Sequence, residues 1–158
     1  MDRITELREL LARQLDWEDA HISYARAVAE FPIEARGVKP AGFAHSAWEF
    51  LEHLRLTQAD ILDFCVNADY LEPTTMSSYW PTSAEPSDEA SWDASIAGFV
   101  RDVEALKRLA LDESVDLFAA IPHGSGQTFI RELLLVVDHN AYSLGQFMAL
   151  RRALGAWS

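Results

Sequence analysis

The sequence predicts an all-α fold, a four-helix bundle that forms a single domain over residues 1–158. Two observations lead to this prediction. Four long stretches place apolar residues at three- and four-residue steps, the spacing of an amphipathic helix, and no stretch alternates apolar with polar residues as a half-buried strand does. With 158 residues, 49% of them hydrophobic, the chain is long enough to bury one core and too short for two comfortable domains.

The first two helices are predicted from an unbroken apolar pattern and from a capping motif. Apolar residues recur from about Ile4 to Ala29 without an intervening glycine or proline, which predicts one continuous helix. Ser46 and Glu49 have the spacing of a capping box, in which each side chain accepts a hydrogen bond from the other residue's backbone N–H. A second helix is therefore expected to begin at Ser46 and to continue through Cys65.

Two longer connections separate the remaining helices. Residues 67–87 are rich in proline, serine and threonine, and their Tyr79-Trp80-Pro81 motif would either cover a site or only anchor the connection to the bundle. A third helix is expected to start near Ser87 and to continue through Leu109, and a fourth is expected from Gln127 to Trp157. The long connection over 67–87 would permit the second and third helices to run in the same direction.

Composition excludes several classes of function. A net charge of −12 and a pI near 4.7 would repel phosphate backbones, so we expect no nucleic-acid partner. No apolar run approaches the roughly 18 residues that a membrane span requires, and the first residues lack the basic start and apolar core of a signal peptide. The single cysteine, Cys65, excludes an internal disulfide, and together these features suggest a cytoplasmic protein.

Polar side chains interrupt the apolar stripe of the fourth helix. At about 100° per residue, Glu132, His139 and Ser143 fall within the stripe, and Asn140 lies at its margin. His53 stands toward one edge of the apolar face of the second helix. Metal sites in bundles are built from such imidazoles on facing helices, although a histidine on an apolar face is also often a hydrogen-bonded core residue. Glu132 could be a metal ligand, a general base or the partner of an arginine.

Two short runs carry a resemblance to a known family. The runs Ser46–Leu54 (SAWEFLEHL) and Asp138–Gln146 (DHNAYSLGQ), together with the order of the helices, resemble the DinB-like (YfiT-like) superfamily of metal-dependent enzymes. The resemblance covers nearly the whole chain. It implies a four-helix bundle in up-down-down-up order and a divalent metal, zinc or nickel, held by one histidine of the second helix and an H-x-x-x-H pair of the fourth. It also implies a homodimer.

The metal ligands that the resemblance implies are only partly present. His53 and His139 match the first two ligands of the family, whereas Ser143 stands where the family has the second histidine of the pair. A serine hydroxyl is a poor zinc ligand beside imidazole, thiolate or carboxylate. Besides Ser143 itself, four other residues are candidates to complete the ligand set: Glu18, His21, Glu132 and His123.

Two functions follow from this pattern. The resemblance implies a metal-dependent hydrolase, or a transferase that uses a low-molecular-weight thiol, with no substrate indicated by the sequence. A metal with three or fewer protein ligands keeps an open position for water or a thiol sulfur. The alternative is a non-enzymatic bundle that binds a small molecule or a protein partner after loss of the third metal histidine. Ser143 favours the alternative, and the two histidines favour the enzyme.

Overall fold

The computed structural model describes residues 2–157, and every regular element in this range is helical. The five α-helices are α1 (Arg3–Gln14), α2 (Tyr24–Val28), α3 (Ala47–Val66), α4 (Glu89–Leu111) and α5 (Phe129–Ala153). Short 3₁₀ turns occupy Ile33–Ala35 and Met76–Tyr79. Over residues 2–157 no β-strand forms, and Ala120 and Thr128 make an isolated antiparallel bridge. The prediction of an all-α protein is confirmed, and the arrangement is that of a helical bundle.

Side-chain caps mark where α3, α4 and α5 begin, and α2 has one as well. The Ser46 hydroxyl accepts a hydrogen bond from the Glu49 backbone N–H at 3.2 Å, and the Glu49 carboxylate accepts one from the Ser46 N–H at 2.7 Å. This is the predicted capping box of α3. Asp88 caps α4 through the Ser91 N–H, and Thr128 caps α5. The third and fourth predicted helices therefore begin within two residues of their expected positions.

The prediction of one continuous helix from Ile4 to Ala29 is wrong. The helix α1 ends at Gln14, and the chain is non-helical over residues 15–23 before the short α2. No glycine or proline causes the break. Instead, Ser23 caps α2, and its hydroxyl and backbone N–H both donate to the Glu18 carboxylate. Such local side-chain hydrogen bonds offer the backbone an alternative to the helix.

The core consists of two clusters of buried side chains. The first cluster lies around Trp92 and Phe147 and includes buried residues of α2. The second lies around Leu106 and Leu133 and includes buried residues of α1. The segment over 15–23 divides α1 from α2. Helix α1 packs into the second cluster, whereas α2 buries Ala27 and Val28 in the first, and its Tyr24 also packs against the second. Tertiary packing has therefore overridden the helical periodicity of the sequence.

Helix α3 lies between two neighbours, which brings the predicted site residues together. It contacts both α4 and α5, and α4 in turn contacts α1. On α1, the buried Arg8 guanidinium donates to the Ala110 carbonyl near the end of α4 at 2.9 Å, and also to the Val115 carbonyl. Carbonyls at a helix C-terminus lack intrahelical partners, so Arg8 supplies donors that α4 itself cannot. Within residues 2–157 no helix is both long and apolar enough to cross a membrane.

Candidate functional site

His53 of α3 and His139 of α5 meet inside the bundle. Their Nε2 atoms lie 3.1 Å apart, and the ring centroids are separated by 5.0 Å with the planes inclined at 63°. Both side chains are partly buried. The two imidazoles that the sequence singled out therefore converge on one point. Their role as metal ligands stays a prediction.

Hydrogen bonding fixes which nitrogen of each ring carries a proton. The Nδ1 atom of His53 lies 2.9 Å from the Tyr79 carbonyl oxygen, and because a carbonyl only accepts, Nδ1 must donate. The neutral His53 ring then has a lone pair on Nε2, so the Nε2–H of His139 donates to it. This assignment leaves His139 Nδ1 as an acceptor, and that atom is buried without a hydrogen-bond partner in the described part of the chain.

Burial keeps both imidazoles neutral. It lowers the pKa of His53, and a positive charge on His139 or His45 would lower it further, while the hydrogen bond to the Tyr79 carbonyl opposes the shift. Burial also lowers the pKa of His139, against the opposing influence of Asn140 and Asp138. At neutral pH the pair therefore presents uncharged rings, which is the form in which histidine binds a metal.

Ser143, at the position where the resemblance implies a third histidine, does not supply a strong ligand. The Ser143 hydroxyl is buried and lies 3.4 Å from His139 Nε2, one helical turn along α5. It is near enough to accept a hydrogen bond, but a neutral hydroxyl binds zinc weakly. Among residues 2–157 no group of three or more histidine, cysteine, aspartate or glutamate side chains is arranged to hold a metal.

Two of the candidate completing residues, Glu18 and His21, lie in the non-helical segment over 15–23. They are therefore not on a helix face as the sequence predicted. The Glu18 carboxylate is paired with Arg26 and with the Ser23 hydroxyl. The His21 ring is exposed, and its Nδ1 lies 2.9 Å from the Ile22 carbonyl. Neither residue forms a three-ligand group with the histidine pair.

The other two candidates, His123 and Glu132, are bonded elsewhere. The Nε2–H of His123 donates to the Phe64 carbonyl at 2.7 Å, near the end of α3. Glu132 is 2% exposed, and its carboxylate accepts from the Arg131 guanidinium at 2.5 Å. The arginine-partner interpretation of Glu132 thus matches the structure, and the ligand set is not completed by either residue.

The connection before α4 covers His53 with an aromatic stack. The Trp80 ring lies between His45 and His53, with centroid distances of 3.7 and 4.0 Å and planes within 13° and 5° of parallel. The neighbouring Tyr79 is held by its hydroxyl, which donates to Asp60 of α3 at 3.0 Å. The sequence pointed to Trp80, but His45 was missed. Its position just before the capping box was the available signal.

A buried amide chain crosses the bundle beside the pair. Asn140 Nδ2 donates to Gln58 Oε1 at 2.8 Å, and Gln58 Nε2 donates to the Phe99 carbonyl at 2.8 Å. Gln58 is fully buried, and Asn140 Oδ1 has no hydrogen-bond partner within residues 2–157. Asn140 therefore donates to a core glutamine. Gln58 was missed, although its place four residues after Leu54 marks it as inward-facing.

The site is thus a neutral imidazole pair with a buried hydroxyl beside it and an aromatic cover over one side. Cys65 does not contribute, because it is buried and burial raises the pKa of its thiol to about 12. No protein-family model, no curated protein and no solved structure matches this chain. The geometry of the described residues is therefore the basis for a functional proposal.

Proposed function

We propose that this protein is a DinB-like bundle in which His53 and His139 bind a divalent metal, zinc or nickel. Its activity would be that of a metal-dependent hydrolase or a thiol-dependent transferase. The observation that supports this proposal is the 3.1 Å separation of the two Nε2 atoms. Two nitrogen ligands of one tetrahedral zinc ion, each at about 2.0–2.1 Å, lie roughly 3.3 Å apart. The imidazole pair needs only a small adjustment to reach that separation.

The surroundings of His53 also suit a ligand. Its Nδ1–H donates to the Tyr79 carbonyl, and such a hydrogen bond orients a metal-binding ring and aims its other nitrogen at the ion. His139 differs, because its Nε2 carries the proton that links the pair. That proton must move to Nδ1, a change of tautomer, before the ring can bind a metal through Nε2.

Two imidazoles would hold an ion weakly and leave its remaining positions open. When bound, the metal would activate a water molecule or stabilise a thiolate. The protein side chains would perform the other tasks. Trp80 excludes water from the face of His53 on which it stacks, and the Ser143 hydroxyl is positioned to hydrogen-bond an incoming oxygen or sulfur atom.

The family's helix order is part of the same proposal. Trp48 near the start of α3 lies beside Trp92 near the start of α4, with ring centroids 6.5 Å apart. Further along, Gln58 of α3 donates to the Phe99 carbonyl of α4. These contacts support a parallel arrangement of α3 and α4, as up-down-down-up order requires. We extend the proposal to a cytoplasmic homodimer, for which sedimentation of the purified protein provides the test of assembly.

A non-enzymatic bundle is the second candidate. It is favoured by Ser143 at the third family position and by the lack of a three-ligand group in residues 2–157. In this case the His53–His139 hydrogen bond would be a structural contact between α3 and α5. The site would then be the remnant of a metal centre, and its function would be the binding of a small molecule or a protein partner.

Zinc and nickel binding to the untagged protein distinguishes the two candidates. We would measure metal content and affinity for the parent protein, His53→Ala and Ser143→His, with His123→Ala as the matched control. His123 is a suitable control because it bonds the Phe64 carbonyl and not the pair. The enzyme proposal expects near-stoichiometric metal that is lost in His53→Ala and retained in His123→Ala.

Other outcomes would count against the enzyme. If only Ser143→His bound metal, the parent site would be a decayed one, which supports the non-enzymatic bundle. If neither protein bound metal, the imidazole pair would be a hydrogen-bonded core contact and the metal proposal would be wrong. A positive result would be followed by a screen for thiol-dependent transfer and for hydrolysis, with His53→Ala as the inactive reference.

A further inference from the structure

Helices α3 and α5 lie side by side and run in opposite directions. His53 in the first half of α3 meets His139 of α5, with the two Nε2 atoms 3.1 Å apart. Further along α3, the Phe64 carbonyl accepts a hydrogen bond from His123, which precedes α5 in the chain. Contacts that move forward along one helix and backward along the other are those of antiparallel neighbours. This register determines which other residues of the two helices face each other.

The same register places two acidic side chains opposite each other. Asp60 lies about two turns beyond His53 on α3, and Glu132 lies about two turns before His139 on α5. Two turns return a side chain to nearly the same face of a helix, so Asp60 faces Glu132 as His53 faces His139. Both acidic residues line one cavity, which lies about 10 Å along the bundle from the imidazoles.

This acidic cavity is formed by α3, by the connection after α3 and by the beginning of α5. Its volume is about 190 Å³. A cavity of about 150 Å³ is enough to hold a benzene molecule, so the acidic cavity has room for a body of that size. It opens to solvent beside Glu72 and Arg131, which are both exposed. His53 and His139 do not line it, so it is separate from the candidate metal site.

The lining of the acidic cavity is negatively charged. Asp60, Glu72 and Glu132 contribute three carboxylates, against the single guanidinium of Arg131. The cavity lies toward the end of α3 and at the beginning of α5, so the two helix dipoles oppose each other there and the side chains determine the sign of the charge. A cleft lined by one sign of charge concentrates ions of the opposite sign. The cavity therefore favours a cation.

Glu132 supplies a buried acceptor at the closed end of the cavity. It is 2% exposed although it lines the space. Its Oε1 accepts from Arg131, whose side chain is 56% exposed, and within residues 2–157 its Oε2 accepts no hydrogen bond. A carboxylate has about four acceptor positions, and a buried carboxylate is stable only where hydrogen bonds replace its lost hydration. Oε2 is thus available to a donor that enters the cavity.

The remaining wall suits an organic cation. The Phe64 and Tyr70 rings meet edge to face, with centroids 5.2 Å apart and planes inclined at 72°, and Ile61 and Leu135 add aliphatic surface. A cation is attracted to the face of an aromatic ring. Tyr70 is held in place because its hydroxyl donates to Asp60 at 2.9 Å. The wall therefore combines apolar contact surface with fixed negative charge.

We infer that the acidic cavity is a binding site for a small organic ammonium ion, a primary amine with an apolar body. The ammonium group donates to Glu132 Oε2 and lies in the field of Asp60, and the apolar body packs against Phe64, Ile61 and Leu135. Water also fills a polar cavity of this kind, but the charge of the lining separates a cation from a neutral molecule of the same shape. The inference does not depend on a metal at the histidine pair.

Benzylammonium chloride and benzyl alcohol are the probes that test this site, because they share a benzyl body and differ in charge. We would titrate each into the ¹⁵N-labelled protein at pH 7 and low ionic strength, and follow the amide shifts. The parent should bind benzylammonium about 10-fold more tightly, since a charge-assisted hydrogen bond is roughly twice as strong as a neutral one. The shifts should map to residues 60–72 and 127–135, and the preference should fall as salt is added.

Three variants that each remove one negative charge identify the residues responsible. Glu132→Gln should lose most of the preference for benzylammonium over benzyl alcohol. Glu72→Gln should reduce it by about 2- to 3-fold, because an exposed charge contributes less. Glu113→Gln is the matched control, since Glu113 is exposed and lies outside the cavity, and it should keep the full preference.

Three results would overturn the inference. The parent could bind the two probes equally, the shifts could map away from the cavity, or Glu132→Gln could retain the full preference. Far-UV circular dichroism would show whether each variant is folded. If Glu132→Gln does not fold, Glu72→Gln decides, and an unchanged preference in that variant would show that the lining does not select a cation.

Discussion

The buried amide chain beside the histidine pair gives a sharp prediction for stability. Gln58 is fully buried and joins α5 to α4, because it accepts from Asn140 Nδ2 and donates to the Phe99 carbonyl, each at 2.8 Å. Gln58→Leu keeps a similar volume but removes the acceptor for Asn140. Since Asn140 Oδ1 already has no partner in residues 2–157, the whole amide of Asn140 would then be unsatisfied.

The magnitude follows from the groups left without partners. A stranded amide donor costs about 1–3 kcal/mol, whereas the Phe99 carbonyl lies inside α4 and keeps its helical hydrogen bond. We therefore expect Gln58→Leu to lower the free energy of unfolding by about 2 kcal/mol. The entropy of unfolding is about 2.1 cal/mol/K per residue, or roughly 0.33 kcal/mol/K for 158 residues. The expected fall in Tm is thus about 6 °C.

The double variant Gln58→Leu with Asn140→Leu distinguishes a stranded polar group from a general packing defect. Replacing both partners with apolar side chains removes the unsatisfied amide, so the double variant should recover most of the stability lost by Gln58→Leu. Thermal and urea unfolding, followed by circular dichroism, would measure all four members of the cycle. Strictly additive losses in the double variant would refute the reasoning.

Two further predictions concern the ends of the bundle and the histidine pair. Arg8→Met should lower the free energy of unfolding by about 3 kcal/mol in urea titrations, because the Ala110 carbonyl at the end of α4 and the Val115 carbonyl after it lose a charged donor. Arg3→Met, at an exposed position of α1, should change the stability little. Burial lowers the pKa of His53 and His139 below the usual 6.5, so the unfolded state takes up protons first as the pH falls. The free energy of unfolding should therefore be unaffected by the pair above pH 6.5 and should decline as the pH falls below it. Replacing both histidines with glutamine should flatten this part of the plot of unfolding free energy against pH. An unchanged slope in the double variant would contradict the assignment of the shifts to these two residues.

Local signals in the sequence located most helices and two residues of the site. The capping box at Ser46 fixed the beginning of α3, and the three- and four-residue apolar steps found α4 and α5. The same periodicity predicted that His53 and His139 face inward, so the convergence of the two imidazoles could be predicted from the sequence. These features depend on residues within one or two turns of each other, and local sequence determines them.

The features that escaped prediction depend on distant contacts. The break after Gln14 allows α2 to bury Ala27 and Val28 in a different cluster from α1, and the Glu18–Ser23 hydrogen bonds that support it have no fixed sequence signature. His45 acquires its position only because the connection over 67–88 folds back and inserts Trp80. No local pattern encodes such an insertion, since it depends on the path of the loop.

The contact between Tyr79 and His53 couples the loop to the imidazole mechanically. The acceptor of this hydrogen bond is the main-chain carbonyl of Tyr79, so the bond does not depend on which side chain occupies position 79. The adjacent Trp80 stacks on the same ring. A displacement of this loop would remove the hydrogen bond and the stacking contact together, and both the orientation and the tautomer of the His53 ring would then be unconstrained. Asp60 touches neither histidine, but it accepts a hydrogen bond from the Tyr79 hydroxyl. A change at Asp60 would therefore alter the geometry of the histidine pair through this loop.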